Sequence, residues 1–206
     1  PQVQTHDHQK EQHHAQIRHS HRSGTRAYGP GCRGTRSGRS CETDRQGLYL
    51  TAKEAHAMKT ERPDDVLFVD VREPVEISTG FTDVVDVNVP FLLVDPSRMH
   101  DSKPEMSMKR NPDFADGVLN ALEAQGLDRL APVILMCRSG GTEARHEPRA
   151  EGLGLEQVYV LVDGFEGSTA SDNPKGPLRI VDGWKNSGLP WSYALNPDKI
   201  HMRSFD

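Results

Sequence analysis

Aromatic residues are scarce in this 206-residue chain, at 6%, and apolar residues as a whole reach only 34%. A fully packed globule of this length carries more, so part of the chain contributes nothing to a core. Cysteine is also rare. Cys32, Cys41 and Cys137 make an odd number, with the first two far from the third. That argues against a disulfide framework and points to a free thiol. Cys32 and Cys41, with eight residues between them, fit no structural zinc spacing. No run approaches 18 apolar residues, so no membrane span is expected. The chain starts at Pro1 and shows no basic-then-apolar leader. It is expected to be soluble, with the compartment open between cytoplasm and periplasm.

What is present divides sharply near residue 46. Residues 1–46 hold six of the ten histidines, eight basic and four acidic residues, and only Val3, Ile17 and Tyr28 as large apolar side chains. With so little area to bury, this stretch cannot offset its ordering entropy and is predicted to be a disordered His- and Arg-rich tail. Its histidines define no fixed ligand geometry, so no metal site is assigned to them. The remainder carries 17 basic and 26 acidic residues. That acidic body disfavours nucleic acid as a partner.

From residue 47 the pattern alternates strand and helix. Leu48-Tyr49-Leu50 reads as a strand, and Thr51-Ala52-Lys53-Glu54 as a capping box opening a helix to about Thr60, stopped by Pro63. Val66 to Val69 is a continuous apolar run. A third strand is expected from Val84 to Val89, ending at Pro90. The stretch from Leu92 to Arg110, with Lys103, Lys109 and Arg110, reads as a solvated loop. Asn111-Pro112 opens a helix carrying Phe114, Val118 and Leu122, closed by Gly126. Val133 to Met136 and Val158 to Val162 complete five strands. Unbroken apolar runs separated by helices indicate strands covered on both faces, which predicts a mainly parallel five-stranded sheet in a three-layer α/β/α sandwich. Trp184, Trp191 and Tyr193 read as packing residues of the C-terminal segment.

The chemistry concentrates in Cys137-Arg138-Ser139-Gly140-Gly141-Thr142, directly after the most apolar strand. Ligands bind outside the carboxyl ends of strands in open parallel sheets. Two glycines let the loop curl and aim its N–H groups at one point, which favours an anion or a thiolate. An ordinary cysteine, with pKa about 8.5, is only a few per cent thiolate at pH 7, and an amide cradle raises that share. A cysteine alone is more often a small buried hydrophobe. The glycines, Arg138 and the strand-end position together favour a nucleophile.

Five stretches in register carry a resemblance to the rhodanese family: Asp70-Val71-Arg72-Glu73, Asn88-Val89-Pro90, Cys137 to Gly141, Val162 to Gly167, and Gly183-Trp184 with Gly188-Leu189-Pro190. The similarity covers roughly residues 47–195, leaving 196–206 as a C-terminal extension. It implies a sulfurtransferase in which Cys137 takes the sulfane sulfur of a small anionic donor such as thiosulfate and passes it to a thiol, cyanide or protein acceptor. Within that resemblance Arg138, Ser139, Gly140, Gly141 and Thr142 form the substrate cradle. Asp70 and Arg72 form a supporting ion pair, and no cofactor is required. The phosphatase relatives place an arginine six positions after the cysteine. That position is Glu143 here, whose charge repels phosphate.

Two departures stand out. Thr142 replaces the arginine that usually closes the family loop, which predicts weaker thiosulfate binding. Residues 143–154 place Pro148 where a helix is expected, at a cost of about 3 kcal/mol if the helix runs through. These features favour a second reading, a catalytically impaired module that binds an anion or a protein partner.

Overall fold

The computed structural model describes residues 48–140, 153–174 and 176–202. The expected tail over 1–46, Cys32, Cys41, Gly141, Thr142, Glu143 and the Pro148 stretch lie outside the described residues.

Five parallel strands form the central sheet: β1 (Tyr49–Leu50), β2 (Leu67–Asp70), β3 (Val87–Asn88), β6 (Val133–Met136) and β7 (Val158–Leu161). Their order is β1-β7-β6-β2-β3, with β6 in the middle. Helix α1 (Ala52–Glu61) covers one face and α3 (Phe114–Ala124) the other. A short helix, α2 (Pro74–Ile77), follows β2. The alternation of strand side chains explains the three layers. Leu67, Val69, Val133 and Leu135 pack with Phe114, Val118 and Leu122, whereas Phe68, Ile134 and Met136 pack with Ala52, Ala55 and Trp184. Phe68, Val69, Val133 and Ile134 are fully buried. Each such side chain contributes about 1.5–3 kcal/mol relative to exposure. The α/β/α sandwich with a parallel five-stranded sheet is therefore the architecture present, and among the described residues no helix is long and apolar enough to cross a membrane.

Local chemistry sets the helix limits. Thr51 accepts from the Glu54 backbone N–H while Glu54 accepts from Thr51 N, so both halves of the capping box are formed. Lys59, near the end of α1, is buried but satisfied by the Pro63 and Val66 carbonyls and by Asp86 at 2.8 Å. Gly126 closes α3 with φ +69°, a conformation that a side chain disfavours.

Two expectations are corrected. The third strand does not run from Val84 to Val89; only Val87 and Asn88 pair with β2. Asp86 bonds the Phe68 N–H through its carboxylate and donates its own N–H to Phe68 O, so the chain arrives by a turn. The stretch from Leu92 to Arg110 is not a structureless loop. It is an antiparallel hairpin of β4 (Leu92–Met99) and β5 (Met106–Arg110), with a register shift between Asp95 and Met99. Pro96 lies in that shift, where a missing N–H is tolerated. A second small ribbon pairs β8 (Thr169–Ala170) with β9 (Leu178–Arg179).

Trp184 is fully buried and donates Nε1–H to Pro190 O, whereas Tyr193 is largely exposed against the edge of Trp191. Residues 197–199 form a 3-10 turn, and Lys199 donates to the Asp83 and Val85 carbonyls.

Candidate active site

The described parts of four motifs lie at the carboxyl end of the sheet, and the fifth is tied to the segment after β7 by the bond from Trp184 N to Gly164 O. Cys137 leaves the middle strand β6, flanked by Val71-Arg72 after β2 and by Val162-Asp163-Gly164 after β7. Backbone bonds lock these segments together. Val71 N donates to Met136 O at 2.9 Å, and Phe165 N to Cys137 O at 2.8 Å.

Cys137 is in no disulfide and is of intermediate burial. The Gly140 N–H donates to its Sγ at 3.1 Å. This geometry requires Gly140 to hold φ +65°. Gly164 supplies the opposite wall, where a Cβ would lie 2.6 Å from Ser139 N and 2.7 Å from Cys137 O. Only glycine allows two backbones to approach so closely. Of the expected cradle, the described segment thus contains Arg138, Ser139 and Gly140.

Arg138 directs its guanidinium at two carboxylates. Its Nε donates to Glu166 Oε2 at 2.8 Å, and its Nη1 lies 3.8 Å from Glu76 Oε1. Glu166 also accepts from Thr79 Oγ1 at 2.8 Å and lies 3.7 Å from Arg179 Nε. Partial burial opposes the charge on Arg138. The hydrogen bond and attraction of Glu166, followed by Glu76 and Glu105, outweigh that penalty and hold its pKa above the ordinary guanidinium value. Burial likewise opposes ionisation of Glu166, but the bonds from Arg138 and Thr79 prevail and its pKa is lowered. Glu76 differs: burial dominates and raises its pKa, despite the Glu73 N–H and the nearby guanidiniums.

Beneath this layer, Arg72 and Asp70 form a fully buried ion pair, with Nη2 at 2.6 Å and Nε at 3.0 Å from the carboxylate oxygens. Arg72 also donates to Gly80 O and stacks 3.9 Å over the Phe165 ring. Asn88 donates its amide to both Asp70 O and Arg72 O, which ties the end of β3 to the same corner.

Glu76, Thr79 and Glu166 escaped sequence reasoning. Glu166 lies inside the Val162 to Gly167 motif, but its pairing with Arg138 becomes visible only once β6 and β7 are known to be neighbours. Glu76 sits on α2, a four-residue helix too short to leave a periodic signal. Among the described residues no cluster of histidine, cysteine and carboxylate groups is arranged to hold a metal ion.

The sequence profile of the rhodanese-like domain matches residues 51–171. A crystal structure of Rv0390 from M. tuberculosis is similar, with 27% identity and a TM-score of 0.50, covering 71% of this chain and 97% of that one. An uncharacterised protein of Saccharomyces cerevisiae shares 23% identity over 57% of this chain and 86% of its own, with a TM-score of 0.36. A putative protein of Arabidopsis thaliana shares 22% over 57% and 83%, with a TM-score of 0.30. No curated protein matches.

Proposed function

Since the chain belongs to the rhodanese-like domain family, we propose that it is a sulfurtransferase that carries sulfane sulfur as a persulfide on Cys137. The observation that carries this reading is the 3.1 Å bond from the Gly140 N–H to Cys137 Sγ at the end of the central strand. An N–H donor aimed at sulfur favours the thiolate, the form that attacks.

In the first half-reaction the Cys137 thiolate attacks the outer sulfur of a donor, with thiosulfate as the simplest case. A Cys137 Sγ–S bond forms as the donor S–S bond breaks, and sulfite leaves with the electron pair. In the second half-reaction the thiolate of an acceptor, or cyanide, attacks the outer persulfide sulfur and restores the Cys137 thiolate. Backbone N–H groups of residues 138–142 are assigned to the donor's negative oxygens, as at other anion-binding turns. Asp70, Arg72 and Asn88 are assigned to holding the loop's floor rather than to contacting substrate.

One observation favours a second reading, a catalytically impaired module that binds an anion or a protein partner. Arg138, the cation beside the nucleophile, is engaged by Glu166 and Glu76.

Mass spectrometry after thiosulfate treatment separates the two. A gain of about 32 Da, one sulfur atom, that disappears in Cys137→Ser is the expected result. Absence of the gain in the wild type favours the binding module.

A further inference from the structure

The sulfur-transfer reading leaves the donor open, and the charges around Cys137 restrict it. Within residues 137–140 the one cation is Arg138, and its guanidinium faces the carboxylates of Glu166 and Glu76. Glu166 is fixed from several sides. Its backbone N–H donates to Arg138 O at 2.8 Å, Thr79 Oγ1 donates to its carboxylate, and Arg179 flanks it. The buried Arg72 is committed to Asp70. Among the described residues three guanidiniums, Arg72, Arg138 and Arg179, therefore meet three carboxylates, Asp70, Glu76 and Glu166. Glu105 on the β4–β5 hairpin adds a fourth negative charge that acts on Arg138.

A cradle balanced in this way gains little from a second negative charge on its ligand. Resting on the sulfur-transfer reading, we propose that Glu166 is a specificity-determining residue: by engaging Arg138, it makes the site prefer sulfane sulfur on a small organic persulfide, singly charged at most, over doubly charged thiosulfate. In this step the Cys137 thiolate attacks the outer sulfur of R–S–SH. The Sγ–S bond forms as the donor S–S bond breaks, the electron pair leaves on R–S⁻, and the proton stays with the transferred sulfur. No oxidant or reductant is consumed. The backbone N–H groups suffice to orient the donor, and Arg138 then serves to hold the loop against Glu166.

The test uses the full chain with two probes, thiosulfate and 2-hydroxyethyl persulfide. The readout is the rate of the gain of about 32 Da on Cys137. The wild type is expected to react faster with the persulfide. Glu166→Gln removes the nearest countercharge of Arg138 and leaves the more distant Glu76, so thiosulfate should react about three- to tenfold faster while the persulfide rate moves by less than about twofold. Arg138→Gln removes the guanidinium bonded directly to Glu166, leaving Arg179 at 3.7 Å, and should shift the ratio the opposite way. These opposite signs, together with a steeper salt dependence of the thiosulfate rate in Glu166→Gln, distinguish charge from a folding defect. A wild type that prefers thiosulfate overturns the proposal, as does a ratio that stays fixed or moves the same way in both variants. Sulfur gain with such a ratio leaves sulfur transfer standing; no gain from either probe removes sulfur transfer as well.

Discussion

Gly140 and Val162 meet backbone to backbone, so closely that a methyl group built on Gly140 would overlap the Val162 carbonyl oxygen. The same residue holds a positive φ and aims its N–H at Cys137 Sγ. Gly140→Ala must displace one of the two loops and pull the donor away from the sulfur. The expected cost in stability is about 1–3 kcal/mol. Iodoacetamide should alkylate Cys137 more slowly at pH 7, because the thiolate loses the Gly140 N–H. A folded variant that alkylates at the wild-type rate would show that this N–H does not activate the thiol.

The Asp70–Arg72 pair gives a second prediction. Both side chains are fully buried and directly bonded. Removing either charge strands the other in a medium that solvates it poorly, so Asp70→Asn or Arg72→Met should each cost about 3–5 kcal/mol in urea denaturation. The double variant should cost less than the sum of the two, since no uncompensated charge remains. Additive costs would mean that the two groups act independently.

The strands that carry the fold were legible because they are buried on both faces. Val66 to Val69 and Val133 to Met136 are short, unbroken apolar runs rich in β-branched residues, which suit a buried strand better than a helix. The capping box at Thr51 and Glu54 was legible because it depends on four consecutive residues. The hairpin from Leu92 to Arg110 was not. Among the described residues its strands pair only with each other, and its residues are largely exposed, so burial imposed no clean alternation. The third strand was overdrawn because Val84 and Val85 look like strand residues, whereas Asp86 bonds to Phe68 and permits pairing only from Val87. At the site, Cys137 and its glycines were visible as a local motif. The carboxylates that engage Arg138 come from α2 and from the segment after β7, and pairing across distant segments is not written in any short stretch.

Glu76 yields a prediction in pH. Burial raises its pKa above the ordinary 4.5, even though the Glu73 N–H and Arg138 favour its charge. A carboxyl group whose folded pKa is raised binds its proton more tightly in the native state than in the unfolded chain. Its contribution to stability is fully present below 4.5 and is lost as pH rises through the folded value. Glu76→Gln keeps an oxygen for the Glu73 N–H without the charge. The variant should therefore gain stability relative to the wild type at pH 7–8, and the gain should disappear near pH 4. Thermal denaturation of both proteins across that range checks the sign. A wild type that is the more stable at pH 8 would mean that attraction to Arg138 outweighs burial.

Lys199 tests how the C-terminal stretch contributes to the domain. Its ammonium donates to the Asp83 and Val85 carbonyls at 2.7 and 3.0 Å and pairs with the Asp83 carboxylate at 3.1 Å. Val85 itself is buried in the core face that holds Phe68 and Trp184. Lys199→Met keeps the aliphatic stem but removes all three bonds, and should cost about 1–2 kcal/mol. Asn196 first, and Lys199 second, hold the Asp83 pKa below its ordinary 3.8. A depressed carboxyl group stabilises the fold above its ordinary value and loses that contribution as pH falls through the folded one. Part of the Lys199→Met deficit should therefore fade below pH 3.8, while the part from the two carbonyls persists. Asp83 is largely exposed, so the fading part should be the smaller of the two. Asn196→Ala should show the complementary pattern. It removes the 3.0 Å bond from the Asn196 amide to the Asp83 carboxylate and the cap that accepts the Asp198 N–H, while leaving the carbonyl bonds of Lys199 in place, so the Asp83 part of its deficit should vanish in acid and the cap part should persist.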